Sequence, residues 1–330
     1  PAQTERAIFE IGMSTPGEIA PRSKMVRPHV VMITRISPAH IQNMGTLEAV
    51  ANEKADIAAG LLDGGVAILP ADDAFFAHLQ DAVMQRQPTA VLKSYGGPPG
   101  ASDACVMDYQ TDGASSTIAL NVEGHDVVVS LDAVGEHWAG NAALAVLAAS
   151  LAGIEPRDAA AALSGYAPPE GRGAAERLIL PAGGQAVLVD DSYNANPDSM
   201  RAALEGLSRR SGRKVVALGE MRELGPDSIR RHTELAAPIV AAGAATVVLS
   251  GDVMKPLADE LLSRNKGLEV VVAADPAGAS EALCSLLRDG DTVLIKGSNA
   301  SGMARVGSAL RTMSETAKSS QKASGAKHAI

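Results

Sequence analysis

The chain has 330 residues, long for one hydrophobic core, so two domains are expected. Its 38 acidic residues outnumber 29 basic ones for a net charge of -9, with no basic cluster outside the short tail, which argues against nucleic acid or an anionic membrane as the main partner. No apolar run is long enough to insert in a membrane, no signal-peptide pattern opens the chain, and Cys105 and Cys284 form no CxxC motif, so a reduced, cytoplasmic protein is the simplest reading.

After a short polar lead, residues 7–12, "AIFEIG", read as a strand; the chain then looks entered in mid-domain, and sequence upstream of Pro1 is expected. Thr15-Pro16-Gly17-Glu18 reads as a helix start, with Thr15 as N-cap and Glu18 completing a capping box. "HVVMITRI" at 29–36 is the next strand and 46–62 the next helix. "VAILP", "DDAFFAHLQDAVMQRQ" and "TAVLKSYG" repeat the unit, and such alternation means a parallel sheet with helices packed on it. Residues 104–134 break the rhythm, with a β-hairpin over 116–131 turning at Glu123-Gly124-His125. Helices follow at 138–152 and 156–164, and then "GYAPPEGRGAAE", dense in Pro and Gly, holds the domain boundary. Strands at 186–190, 214–218, 245–250, 269–273 and 292–296 each precede a helical stretch. The expected fold class is α/β: a mostly parallel domain over 1–170, a doubly wound, Rossmann-like domain over 171–315, and a disordered tail over 316–330.

Four places carry candidate chemistry. In open α/β sheets ligands bind beyond the carboxyl ends of strands, where "DDSYNANP" sets Asp190, Asp191, Asn194 and their neighbours; the other reading is a turn in which Asp191 or Asn196 caps a helix. Glu10 lies within an apolar run, either exposed on an edge or held by a cation. Lys54 falls at the middle of the apolar stripe Leu47, Val50, Ala51, Ile57, Ala58 and Leu61, while Glu48, Asn52, Glu53, Asp56 and Asp63 lie elsewhere on that helix. Lys54 either snorkels or serves a site. His40 is a lone loop histidine that gains weight from lying between a strand end and the Lys54 helix.

Together, "FEIGMSTPGEI", "SPAHIQNMGTLEAVANEKADI", "GEHWAGNAALA", "DDSYNANPDSM", "GEMRELG" and "VLIKGSN" resemble, in order, the blocks of the Mur ligases, ATP-dependent amide ligases of peptidoglycan synthesis. The resemblance is strongest to the branch that adds D-alanyl-D-alanine to UDP-N-acetylmuramoyl-tripeptide, and it covers residues 7 to about 310. It makes the first domain the central, ATP-binding domain, here truncated, and the second the family's C-terminal domain. It implies ATP and Mg2+, with Glu10, His40 and Lys54 as metal and catalytic residues and Lys54 as the lysine that members carbamylate. By the same resemblance Asn141, Arg172, Asp191 and Asn194 meet the nucleotide, and Lys296 and Ser298 lie near the incoming amino component. A monomer that acts on UDP-N-acetylmuramoyl-tripeptide and D-alanyl-D-alanine, closing through a hinge near 168–173, follows from it.

The sequence departs from the family pattern in several places. It contains no GxxxxGK[ST] phosphate loop and none of the family's N-terminal domain. Ser14-Thr15 replaces an Asn-His pair, Trp138 stands for Asn, and Gly302 for Arg. Two other readings share the fold: a non-catalytic paralogue that serves as a binding module, and a folyl- or cyanophycin-type ligase, against which "DDSYNANP" speaks. On the ligase reading Asp191→Ala is expected to lower ATP use and leave the fold nearly intact.

Overall fold

The computed structural model describes residues 3–38, 41–112 and 115–327, apart from the side chains of 322–327. It divides into two compact units, Pro1–Leu131 with Glu136–Tyr166, and Asp132–Gly135 with Ala167–Ile330. The division falls inside the Pro- and Gly-rich stretch, a few residues before position 170.

The first unit runs α1 (Ile19–Val26), β1 (Val30–Met32), α2 (Ile41–Met44), α3 (Leu47–Ala55), a 3-10 turn (Asp56–Gly60), β2 (Val66–Pro70), α4 (Phe76–Arg86) and β3 (Val91–Tyr95). Then come β4 (Ala104–Thr111), β5 (Ser116–Val122), β6 (His125–Leu131), α5 (Glu136–Leu151) and α6 (Pro156–Leu163). The six strands lie in the order of their numbers; β1 to β4 are parallel, and β4, β5 and β6 are antiparallel. β4, which sequence alternation did not single out, is therefore the strand at which the sheet changes sense. The expected hairpin forms, and Glu123 and Gly124 both take positive φ, 51° and 84°, as a two-residue turn between twisted strands requires.

Three local expectations do not hold in this unit. Residues 7–12 form no strand: the run pairs with no ladder, and Ile8 is 91% and Phe9 61% exposed. An apolar pattern proposes a strand, but hydrogen bonds to a neighbour make one. "HVVMITRI" shrinks to Val30–Met32, because past Ile33, whose N–H still reaches Ile68, the carbonyls of Thr34 and Arg35 turn to side chains. Thr15 caps no helix either. α1 begins at Ile19, and the carboxylate holding its first turn comes from Glu53, 34 residues away, which accepts the N–H groups of Gly17, Glu18 and Ile19 at 2.7, 2.9 and 2.9 Å.

α3 starts as expected at Thr46, whose hydroxyl accepts the Ala49 N–H at 3.1 Å. Val50, Ala51, Ala58 and Leu61 are buried, as the stripe predicted, but so is Glu53, which it placed outside. The helix tightens into the 3-10 turn before Gly60, where a Cβ would lie 2.2 Å from the backbone of Ser23 on α1.

The second unit runs β7 (Ala174–Ile179), β8 (Gln185–Asp191), α7 (Pro197–Ser208), β9 (Lys214–Gly219), a 3-10 turn (Gly225–Asp227), α8 (Ser228–Thr233), α9 (Ala236–Ala241) and β10 (Ala244–Ser250). A second 3-10 turn (Asp252–Met254), α10 (Lys255–Arg264), β11 (Glu269–Ala273), α11 (Pro276–Leu286), β12 (Thr292–Lys296), a third 3-10 turn (Asn299–Ser301) and α12 (Ala304–Lys327) complete it. The strand order is β11-β10-β9-β12-β8-β7, parallel except for β7, an antiparallel edge.

Alternate residues of the central strands feed two cores. Val216, Leu218, Val247, Leu249 and Leu294 pack with residues of α7, α9 and α10; Val215, Ala217, Val248, Val293 and Ile295 pack with residues of α11 and α12. Both faces are thus covered, as in a doubly wound sheet. α12 continues as helix through 316–327, where the sequence reading expected a disordered tail. Ala, Ser, Lys and Gln without proline extend a helix already anchored by the buried Val306 and Leu310.

Candidate functional site

In the first unit the polar side chains gather after the carboxyl ends of β1, β2 and β3. Lys54, half-buried on α3, donates from Nζ to the Arg35 carbonyl at 2.6 Å. Burial pulls its ammonium below the ordinary lysine range, and the nearby Asp73 carboxylate opposes that pull. Asp73, itself buried after β2, accepts the N–H groups of Ile36 and Phe75, both at 2.9 Å. Arg35 reaches Asp72 at 3.9 Å. The Tyr95 hydroxyl, at the end of β3, donates to the Thr34 carbonyl, and burial raises its pKa. Glu10 lies on the exposed irregular segment and makes no hydrogen bond or ion pair among the described residues. His40 lies outside the described residues. Among the described residues no three His, Cys, Asp or Glu side chains are gathered as if around a metal ion. Asn141 is exposed on α5.

In the second unit the end of β8 divides its two aspartates between the faces of the sheet. Asp190, 1% exposed, accepts from Arg311 at 2.8 Å and from the Ser192 hydroxyl at 2.6 Å. Arg311 also donates to Glu176 at 2.6 Å and to Glu170. Asp191 points the other way and accepts from Lys296 Nζ at 2.6 Å, and the same ammonium donates to the Asn194 carbonyl at 2.9 Å. Lys296 is 3% exposed, so Asp191 neutralises a buried charge. Burial holds the Asp191 carboxyl above the usual carboxylate range against the pull of Lys296. This overturns the expectation that Asp191→Ala leaves the fold nearly intact, because the ammonium would lose its counter-ion.

The helix cap in this loop is Asn196, whose side chain accepts the Ser199 N–H at 2.9 Å. Capping and the Asp191 ion pair are therefore separate tasks. Arg172 lies over the Tyr193 ring, 4.1 Å from its centroid, and Ser298 Oγ accepts the Arg222 N–H at 2.7 Å.

Residues 1–149 match the Mur ligase middle domain, and residues 176–299 match the Mur ligase, glutamate ligase domain. The chain belongs to the Mur ligase family. Glu10, His40, Lys54 and Asn141 fall in the first match; Asp191, Asn194, Lys296 and Ser298 fall in the second, and Arg172 between them.

Among relatives, the UDP-N-acetylmuramoyl-tripeptide--D-alanyl-D-alanine ligase of Mycobacterium leprae is 29% identical over 324 residues, covering 91% of this chain and 62% of that protein. The enzyme of that name from Bacillus subtilis is 32% identical over 244 residues, 72% of this chain and 50% of its own. The chain thus spans less than two thirds of these Mur ligases. A crystal structure of MurF from Acinetobacter baumannii superposes with a TM-score of 0.80 at 27% identity, covering 93% of this chain and 64% of that one. MurF from Thermotoga maritima in complex with ADP shares the fold, with a TM-score of 0.77 at 24% identity.

The sequence reading missed Asp72, Asp73 and Glu53. The rule that flagged Asp190 and Asp191, acidic residues directly after an apolar strand, applies equally to "VAILPADD". Nothing local marks Glu53, whose partners are 34–36 residues away.

Proposed function

We propose that the protein containing this chain is an ATP-dependent carbon-nitrogen ligase that joins D-alanyl-D-alanine to UDP-N-acetylmuramoyl-tripeptide in the cytoplasm. The observation that carries this is Lys54, an amine held half-buried at strand carboxyl ends with its charged form disfavoured. A lysine kept for charge alone gains nothing from such a place; burial raises the share of free amine, and a free amine that adds carbon dioxide and loses a proton becomes an anionic carbamate.

The donor set suits magnesium. Glu10 has a carboxylate unengaged among the described residues, a carbamate on Lys54 would add hard oxygens, and His40 is the third residue of the proposed set. These three would hold the ion, which when bound neutralises charge on phosphate oxygens. In the reaction the terminal carboxylate of the tripeptide attacks the γ-phosphorus of ATP and ADP leaves. The amine of D-alanyl-D-alanine then attacks the acyl phosphate, forming the amide bond and releasing phosphate.

Asn141, Arg172, Asp191 and Asn194 are the proposed nucleotide contacts. Lys296, being spent on Asp191 and the Asn194 carbonyl, acts by holding that loop in shape, and Ser298 by ordering the loop after β9. The test uses the full-length protein with purified UDP-N-acetylmuramoyl-tripeptide, D-alanyl-D-alanine and ATP. ADP release that needs both acceptor and amine, together with the pentapeptide product by mass spectrometry, is expected. Turnover with another amino acid but not with D-alanyl-D-alanine would refute the proposal.

A further inference from the structure

Among the buried titratable groups, His232 on α8 has no part in the reaction above. It is fully buried, and both its ring nitrogens meet backbone groups of fixed polarity. Nδ1 lies 2.7 Å from the Ser228 carbonyl oxygen, which can only accept. Nε2 lies 2.8 Å from the Met221 nitrogen, whose N–H can only donate. Nδ1 must therefore carry the proton and Nε2 the lone pair, so the tautomer follows from the partners alone. An imidazolium would set Nε2–H against the Met221 N–H.

Met221 stands at the centre of the segment that leaves β9. On one side of it the Glu220 carbonyl accepts the Ser298 N–H at 3.0 Å; on the other the Arg222 N–H donates to Ser298 Oγ at 2.7 Å. Three successive residues of "GEMRELG" are thus fixed, two by Ser298 and the middle one by His232. Ser298 lies two residues beyond Lys296, the ammonium that pairs with Asp191. A side chain on α8 therefore sets the loop after β9, which meets the loop after β12, at the carboxyl edge of the sheet. The Met221 side chain, 2% exposed, makes the segment part of the core and leaves little room for slack.

We infer that His232 is a positioning residue: as the neutral Nδ1–H tautomer it holds the 220–222 backbone against Ser298 and so shapes the loop pair that receives the amino component. The tautomer and the backbone contact stand by themselves; the link to the amino component rests on the ligase reading. His232 touches no reacting atom in this scheme.

The test begins with the wild-type 330-residue chain labelled with 15N. A long-range proton–nitrogen spectrum at neutral pH is expected to show His232 protonated at Nδ1 and unprotonated at Nε2; an Nε2–H or doubly protonated ring overturns the inference without any variant. Two substitutions then separate pinning from filling. In His232→Gln the amide oxygen reaches the Nε2 position and can accept the Met221 N–H, whereas in His232→Asn it falls short. Amide exchange at Met221 and Arg222 is expected to rise about 100-fold in the Asn variant and less than about 10-fold in the Gln variant, with α11 and α12 unchanged. Equal effects of the two, or exchange raised uniformly across the second unit, would make His232 a core filler and overturn the inference. In the full-length enzyme the Asn variant should raise KM for D-alanyl-D-alanine several-fold with KM for ATP unchanged. The exchange pattern without that KM change would leave the pin standing and refute the link to the amino component.

Discussion

Replacing Asp191 by Ala tests the second unit at its most charged point. The substitution deletes a carboxylate 2.6 Å from Lys296, leaving an ammonium that is 3% exposed with only the Asn194 carbonyl at 2.9 Å. Removing one partner of a buried ion pair costs about 3–5 kcal/mol, most of it the burden of the charge left behind. In a unit of this size each kcal/mol moves the melting temperature by roughly 2–4 °C, so a fall of roughly 6–20 °C is expected. Lys296→Met should cost only about 1 kcal/mol, because the Asp191 side chain is 26% exposed and can take up water. The double variant should therefore be more stable than Asp191→Ala alone, with a coupling energy of about 2 kcal/mol or more in a denaturant double-mutant cycle. Effects that add within about 0.5 kcal/mol would refute the ion pair as the reason for the loss. Since Asp191→Ala now perturbs the fold as well as the nucleotide, the nucleotide role is read from Asp191→Asn, which keeps an oxygen for Lys296. That variant still removes the counter-charge, so a raised KM for ATP with a smaller fall in melting temperature than that of Asp191→Ala is the result expected from it.

Carbon-13 bicarbonate should give the chain one carbamate resonance, absent in Lys54→Arg; because burial lowers the Lys54 pKa, the signal should persist to lower pH than for an exposed lysine. Gly60→Ala should destabilise the first unit by about 1–3 kcal/mol in urea unfolding, since its Cβ would lie 2.2 Å from the Ser23 backbone; an unchanged midpoint would show that α1 can move away. The folded pKa of His232 lies below its ordinary 6.5 because of burial, with Glu220 opposing, so the unfolded chain takes up this proton first. Its stabilisation is complete above pH about 6.5 and falls below it by at most about 1.4 kcal/mol per pH unit until the folded value is reached; His232→Gln should lose that limb of the stability profile. Residues 1–330 alone, which contain no GxxxxGK[ST] loop to cradle phosphates, should bind ATP weakly and form no amide in an ADP-release assay.

Sequence and structure agree where a pattern is repeated along the chain and part company where one contact decides. Five parallel strands of the second unit, its two-faced burial and the Glu123-Gly124 turn were legible, because each rests on alternation or on a backbone angle that few residues take. Strand alternation also sends Asp190 and Asp191 to opposite faces, but their partners, Arg311 and Lys296, stand more than 100 positions away, and no local pattern names them. The run at 7–12 has the apolar composition of a strand and fails for want of a neighbour, which composition does not report.

Glu53 and Lys54 make the sharpest case. Periodicity put the lysine on the buried stripe of α3 and the glutamate off it, yet Glu53 is only 5% exposed. A carboxylate is costly to bury only when unpaired, and three N–H groups at the start of α1 satisfy both its oxygens. That contact also ties the helix bearing Lys54 to the loop that follows Glu10. Two residues of the proposed metal set are thus joined in their supports by a side chain that binds no substrate. The reach of the site therefore depends on a cap that hydrophobic pattern alone assigns to solvent.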